Sequence, residues 1–493
     1  MKIRNFADVK NILFDNLTVK QTIFKNTFWM GLADGVSKFL KFILIIYVAR
    51  IIGVTEYGKF NFALAFISLF VVFFNVGLSQ AIIVREFAKD PKKEKEFADI
   101  FSFKIVLGLI AVILIWSVSF LITKDFEIRK LIWILAIFSL IENFSATIYS
   151  FFRARQKMEY QAFIDVLESL LIVIIGLSII FIAPSIRNLA YGYLTGAFIA
   201  FVAALTILHF KIQPFSVSWN TNVWKSFLMM SWPLAFVSIF YQIYNQIDSV
   251  IMGYFGQITQ IGWYSASSKV IGVCLIFAGL ISNSFYPVLS KTFQESKDKF
   301  QRILNYQMEI MIVLAFPLMI GGSVLASKII NFMYGQEFNQ SILVFQILSI
   351  MTGIIFIYTG FQRVLIIAGF QKVFLLITFL GAMTSIILNL ILIPEFSLYG
   401  AAFSAVVTHL LIFLLSAKLA IKFVSIKLLN SKILVSLVGV VISSLAMYFV
   451  ISYPPIYSLN VVLTILIGGG IYFSLLWGYR NTINRILNPY LNK

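Results

Sequence analysis

Charge is scarce in this sequence. Of its 493 residues only 12% are Asp, Glu, Lys or Arg, while 60% are hydrophobic and the mean hydropathy is +0.93. A soluble chain carries about twice that charged share, so a soluble enzyme is excluded. The single cysteine, Cys274, rules out a disulfide framework. The two histidines, His209 and His409, are far apart and set near predicted helix ends, so no metal set is expected. No HExxH, CxxC, GxSxG or P-loop pattern occurs, which leaves no sign of a cofactor, a nucleophile or ATP hydrolysis in this chain. The connections on the predicted outer side are short. A membrane-embedded glycosyltransferase or polymerase would need a large outer loop bearing carboxylates or a catalytic arginine. The chain is therefore not expected to be an enzyme.

What is abundant is long apolar runs. About fourteen of them reach the ~20 residues needed to span a bilayer. They fall near 27–49, 59–84, 100–123, 131–152, 164–183, 187–210, 224–252, 262–289, 303–324, 342–367, 372–393, 398–420, 432–452 and 459–479. Lys and Arg gather at both termini and in every second connection, roughly four there for each one on the other side, which places both termini in the cytoplasm of a multi-pass plasma-membrane protein. The net charge of +18 then reflects topology and attraction to anionic lipid, not a nucleic-acid surface. No cleavable signal peptide is expected. The segment "FADVKNILFDNLTVKQTIF" has the pattern of an interfacial amphipathic helix, with a flexible tail as the equal alternative.

Three pairs of segments repeat in order at offsets of about 203 to 210 residues. "ARIIGVTEYGKF" matches "MGYFGQITQIGWY", pairing Gly53 with Gly256. "YSFFRARQKMEYQAF" matches "YTGFQRVLIIAGFQKVF", pairing Arg153 with Arg363. "PSIRNLAYGYLTGAF" matches "PEFSLYGAAFSAVV". Each pair is six spans apart. The expected fold is an all-α polytopic membrane protein, with two pseudo-symmetric six-helix bundles around a central cavity and two further C-terminal helices. The expected division is an N-terminal segment 1–26, an N-lobe 27–210, a C-lobe 224–420, spans thirteen and fourteen at 432–480, and a tail 481–493. Because six is even, the lobes are parallel repeats, an arrangement suited to alternating access and therefore to transport.

The blocks "ARIIGVTEYGKF", "IDSVIMGYFGQITQIGWYSASSKV" and "IPEFSLYGAAFSAV" resemble the polysaccharide (Wzx-type, O-antigen) flippases of the MOP exporter superfamily, which also holds the MATE drug exporters and lipid II flippases. The resemblance covers nearly the whole chain and is most specific around Asp248, Gly253, Gly256, Gly262, Tyr264 and Lys269. It implies a flippase that moves a polyprenyl-diphosphate-linked oligosaccharide from the inner to the outer leaflet, driven by a proton or sodium gradient, with a polysaccharide polymerase as a candidate partner. A MATE-type cation or multidrug antiporter and a lipid II flippase are the alternatives.

Against that background the polar residues within spans become candidates. Asp34, Lys38 and Lys41 lie at i, i+4 and i+7 on one face of the first span. Each charge costs roughly 2.5–3.5 kcal/mol at a helix centre unless water or a partner solvates it. Two lysines facing a cavity suit a diphosphate; snorkelling to the interface is the alternative. Tyr241, Tyr244, Asn245 and Asp248 extend a second stripe after Pro233, fit for sugar contact or for interhelical packing. Lys269 is a further cavity cation and a candidate partner for Asp248. Asp248, Asp34 and Glu142 are coupling or gate candidates, and Lys104 and Arg153 are candidates for cytoplasmic entry. Asp165 and Glu168 read as acids at the start of the fifth span, where they stabilise a helix N-terminus.

Overall fold

The computed structural model describes residues 18–75, 84, 94–424, 426 and 431–491, and all of its regular elements are helical. In chain order they are α1 (Val19–Asn75), α2 (Glu94–Ile122), α3 (Phe126–Ala154), α4 (Met158–Ile182), α5 (Ile186–Lys211), α6 (Thr221–Tyr254) and α7 (Ile258–Glu295). There follow α8 (Lys297–Tyr334), α9 (Ser341–Ile367), α10 (Gln371–Val424), α11 (Ser431–Ser452), the single turn α12 (Pro454–Tyr457) and α13 (Val461–Leu491). Among the described residues, ten helices are long and apolar enough to cross a membrane. The interfacial segment expected at 6–24 lies outside the described residues up to 17; from Val19 the chain is already α1.

Two of the helices each absorb two expected spans. α1 breaks at Gly53, whose φ of 78° is open to glycine without a Cβ clash. α10 breaks at Ser397, with φ 53°, three residues after Pro394. A non-glycine residue held in so sparsely populated a region costs on the order of 1–3 kcal/mol. The Ser397 hydroxyl offsets part of this by donating to Gln257 Oε1 at 2.8 Å. α6, by contrast, runs through Pro233 as one helical element.

The internal repeat has a backbone counterpart. α3, α6 and α9 each end on a left-handed residue, Gln156 (φ 57°), Gly256 (φ 73°) and Gly369 (φ 83°). Behind each, the next amide closes back on a carbonyl five residues earlier at 2.9 Å: Lys157 on Phe152, Gln257 on Met252, and Phe370 on Leu365. This is the Schellman closure. Counted from Gln156 and Gly369, however, Arg363 sits six residues in and Arg153 only three. The two arginines paired by sequence are thus one helical turn out of register.

The chain divides into two compact units, residues 1–242 and 243–493. Unit 1 is built around an aromatic cluster in which Phe97, Phe101, Phe151 and Phe152 join α2 to α3, with Trp224 of α6 stacked on Phe103 and donating to the Asp99 carbonyl at 2.8 Å. Unit 2 has its main core between α7, α8, α9 and α10, including Leu289, Leu304, Met308, Phe361 and Ile412. α11 and α13 pair with each other and lie against α8, where Tyr472 donates to the Val313 carbonyl at 2.7 Å.

In unit 1, polar contacts fix how α1 meets α4. Lys25 Nζ lies 3.1 Å from Glu159 Oε2 and donates to the Gln156 carbonyl at 3.0 Å. Ser37 donates to the Asp165 carbonyl, and Lys41 reaches Glu168. The contacts ascend together along both helices, so the first stretch of α1 and α4 run in the same direction, as a first and a fifth span must. Lys25 is fully enclosed and Glu159 nearly so. Removing Lys25 leaves the buried Glu159 only the longer contact to Lys157, 3.7 Å from its Oε1. Lys25→Met is therefore expected to lower stability by about 3–5 kcal/mol, and adding Glu159→Met to restore most of it. Thermal unfolding of the detergent-solubilised protein checks both.

Candidate functional site

The charged cluster of unit 1 is assembled from α1, α3 and α4. Lys41 Nζ is 2.8 Å from Glu168 Oε1 and 3.8 Å from Glu142 Oε1. Glu168 is 8% exposed, whereas Lys41 at 30% and Glu142 at 40% keep an open side. One turn before Lys41, Lys38 pairs with Asp34 at 2.8 Å, an i,i+4 contact with both side chains half exposed. From α3, Arg153 Nε donates to Gln161 Oε1 at 2.7 Å, and Gln161 Nε2 donates to Asp165 Oδ2 at 3.1 Å. Arg153 is thereby linked to an acid through an amide. Of the expected residues, Asp34, Lys38, Lys41, Glu142 and Arg153 thus stand in or beside one cluster. Lys104 is buried on α2, in the segment that carries Phe101 and Phe103.

Asp165 and Glu168 are not helix-start residues. α4 begins at Met158, directly after the left-handed Gln156, so both acids lie two to three turns in. The first-turn acid is Glu159. Glu168 as the counter-ion of Lys41 was missed in the sequence. The signal was two acids deep in an apolar run, whose insertion cost demands a cation on a neighbouring helix.

In unit 2, α6 and α7 meet across a short turn. Asp248 is buried and held by the Tyr264 hydroxyl and by the Ser249 amide at 2.6 Å. The expected partner Lys269 does not reach it. Asp248 lies six residues before the end of α6 and Tyr264 six residues after the start of α7, so they stand level. Lys269 is five residues further on, about 7.5 Å deeper and on a different side of the helix. Among the described residues Lys269 has neither a hydrogen bond nor an ion pair.

The stripe on α6 divides. Tyr241 is 52% exposed and Asn245 half-buried, while Tyr244 is packed inward against His409 in an edge-to-face contact at 5.7 Å. His409 is itself buried in the middle of the second half of α10, not near a helix end, and shares a 2.9 Å hydrogen bond with the Tyr358 hydroxyl. Sequence reading had no means of joining Tyr244, Tyr358 and His409, which lie on three helices. A further constellation surrounds Arg363 on α9. Its Nε donates to Ser282 Oγ at 3.1 Å and its Nη2 to Asn283 Oδ1 at 2.7 Å, both on α7. Among the described residues no group of three or more His, Cys, Asp and Glu is placed to hold a metal ion.

Comparison with known proteins adds three findings. The sequence profile of the family described as "Polysaccharide biosynthesis protein" matches residues 23–293. Among curated relatives, "Capsular polysaccharide biosynthesis protein CapF" of Staphylococcus aureus is 24% identical, covering 78% of this chain and 96% of its own. "Probable flippase AglR" of Haloferax volcanii is 23% identical over 93% and 97%. Among solved structures, one described as "Lipid II flippase MurJ, inward closed conformation" superposes with a TM-score of 0.76 at 18% identity, over 93% of this chain and 99% of that one. It establishes a shared fold.

The Lys41 cluster predicts its own energetic signature. A double-mutant cycle of Lys41→Met and Glu168→Gln is expected to show a coupling of about 1–3 kcal/mol, read from thermal or denaturant unfolding. Lys38→Met with Asp34→Asn is expected to show under about 0.5 kcal/mol, because that pair is half exposed and on one helix.

Proposed function

Because this chain belongs to the polysaccharide biosynthesis protein family, the Wzx-type flippases of the MOP exporter superfamily, we propose that it moves a polyprenyl-diphosphate-linked oligosaccharide from the inner to the outer leaflet of the cytoplasmic membrane. It does so by alternating access, with both termini cytoplasmic and with a proton or sodium gradient as the driving force. The observation that carries this reading is the family match over residues 23–293. Relatives named for capsule biosynthesis and for a flippase, each aligned over nearly its full length, support it.

In this reading the open sides of Lys38 and Lys41 take the diphosphate, and the exposed ring of Tyr241 serves the sugars. Lys41 can turn to a phosphate only by leaving Glu168 and Glu142. The two acids then stand close together without a counter-charge and take up a cation, which links substrate movement to an ion gradient. Asp34 plays the same part for Lys38 at a more exposed position. With short connections throughout, a polysaccharide polymerase would be met through helices.

The test is translocation in proteoliposomes, scored by lectin or glycosidase access to a lipid-linked oligosaccharide. Wild type is expected to transfer the glycan across the bilayer, and Lys38→Ala/Lys41→Ala to lose at least about tenfold in rate, the scale of one charge-assisted contact. Absence of transfer by folded wild-type protein, with uptake of an organic cation such as ethidium instead, sinks the flippase reading.

A further inference from the structure

Arg363 differs from the lysines of α1 in what it faces. In unit 1, Lys25, Lys38 and Lys41 each have a carboxylate oxygen within 3.1 Å. In unit 2, Arg363 meets only neutral groups: the Ser282 hydroxyl, the Asn283 amide oxygen, and the ring of Tyr286 at 5.7 Å. Among the described residues no acid forms an ion pair with it.

This arrangement holds the guanidinium without neutralising it. Ser282 is fully buried, so one anchor is fixed in the packed seam between α7 and α9. A guanidinium carries five N–H donors in a rigid plane. Two are engaged here, and three remain along with the whole positive charge. If Arg363 merely complemented the C-terminal dipole of α9, its donors would turn to the last carbonyls of its own helix. They turn instead to side chains of α7.

A second cation lies on the same helix. Lys269 precedes Asn283 by fourteen residues, about 21 Å along α7 and within roughly 40° of the same side. Between them Gly272 and Gly279 have no atom within 4 Å of the place a Cβ would occupy. The backbone of α7 is uncovered at those two positions.

We propose that Arg363, set in place by Ser282, Asn283 and Tyr286, is a binding site for a phosphate group, and that Lys269 is the next cation such a group meets along α7. The site deepens the flippase reading and rests on it for the identity of the phosphate. The planar fork matches two phosphate oxygens at once, and neutral anchors leave the charge to the ligand. A lipid-linked glycan diphosphate and a phospholipid headgroup share this chemistry.

The experiment uses full-length protein in phosphatidylcholine nanodiscs, titrated with farnesyl diphosphate and, as control, farnesol. Wild type is expected to bind the diphosphate, with Arg363→Gln weakening it at least about tenfold, Arg363→Lys less, and farnesol unaffected. Asn283→Ala, which frees one anchor, should give an intermediate loss, and Lys269→Gln a smaller one. Competition by phosphatidylglycerol that disappears in Arg363→Gln identifies a bilayer headgroup as the occupant; its absence identifies the substrate diphosphate. Unchanged diphosphate affinity in Arg363→Gln overturns the site. Should that variant not fold, unchanged affinity in both Arg363→Lys and Asn283→Ala overturns it instead. Gly279→Leu fills open space and is expected to slow glycan translocation while leaving the melting temperature in place. Diphosphate binding that depends on Arg363 in a protein that translocates no glycan refutes the flippase reading and leaves the site standing. Glycan translocation alongside binding indifferent to Arg363 does the reverse.

Discussion

Unit 1 is organised by the need to pair charge inside an apolar bundle. Lys25 with Glu159 and Lys41 with Glu168 pin α1 to α4 at two heights. An ionised group removed from water costs several kcal/mol, and a well-placed counter-charge returns most of that without a large net gain. The value of these pairs is therefore specificity more than stability. Sliding α1 along α4 by one turn would break both pairs together, whereas a purely apolar seam would tolerate it. The same pairing answers how one helix bears Asp34, Lys38 and Lys41. None of the three enters the bilayer as a lone charge.

The two ion pairs are not equivalent. Lys25 is enclosed, and its ammonium also serves the Gln156 carbonyl, so it has no open side. Lys41 and Glu142 keep theirs, and three acids, Glu142, Asp165 and Glu168, surround two cations in the cluster with Arg153. A latch and a labile site are built from the same chemistry, and exposure separates them. The latch holds α1 against the turn between α3 and α4. The labile site lies where α1, α3 and α4 meet and where a competing anion can approach.

The helical architecture was legible because span length and apolarity are local properties. Residue-level partners were not. The breaks at Gly53 and Ser397 fell where expected spans met, but continuity across them depends on tertiary contacts such as Ser397 to Gln257. Helix starts were misplaced where polar residues extend a helix past its apolar run. That is why Asp165 and Glu168 read as caps, when α4 already begins at Met158. Asp248 was singled out in the sequence with Lys269 as its partner, and the structure gives it Tyr264 instead. Its partner is fixed by depth across the α6–α7 turn, and Tyr264 was the acceptor's level neighbour all along. Arg363 was visible only as half of a repeat. The register shift of one turn that takes it to Ser282 and Asn283 has no signature in spacing alone.

That shift bears on how two segments paired by sequence acquire different surroundings. Helices that end in the same Schellman closure at Gln156 and Gly369 present arginines at different depths. Arg153, three residues from its closure, meets Gln161 and through it Asp165. Arg363, one turn deeper, meets a neighbouring helix whose side chains at that height are a hydroxyl and an amide. The backbone frame is shared, and the charge state of the site is not. The lysines of α1 thus stand among acids, while Arg363 stands among neutral groups. A one-turn displacement of a single arginine is enough to separate the two kinds of surroundings.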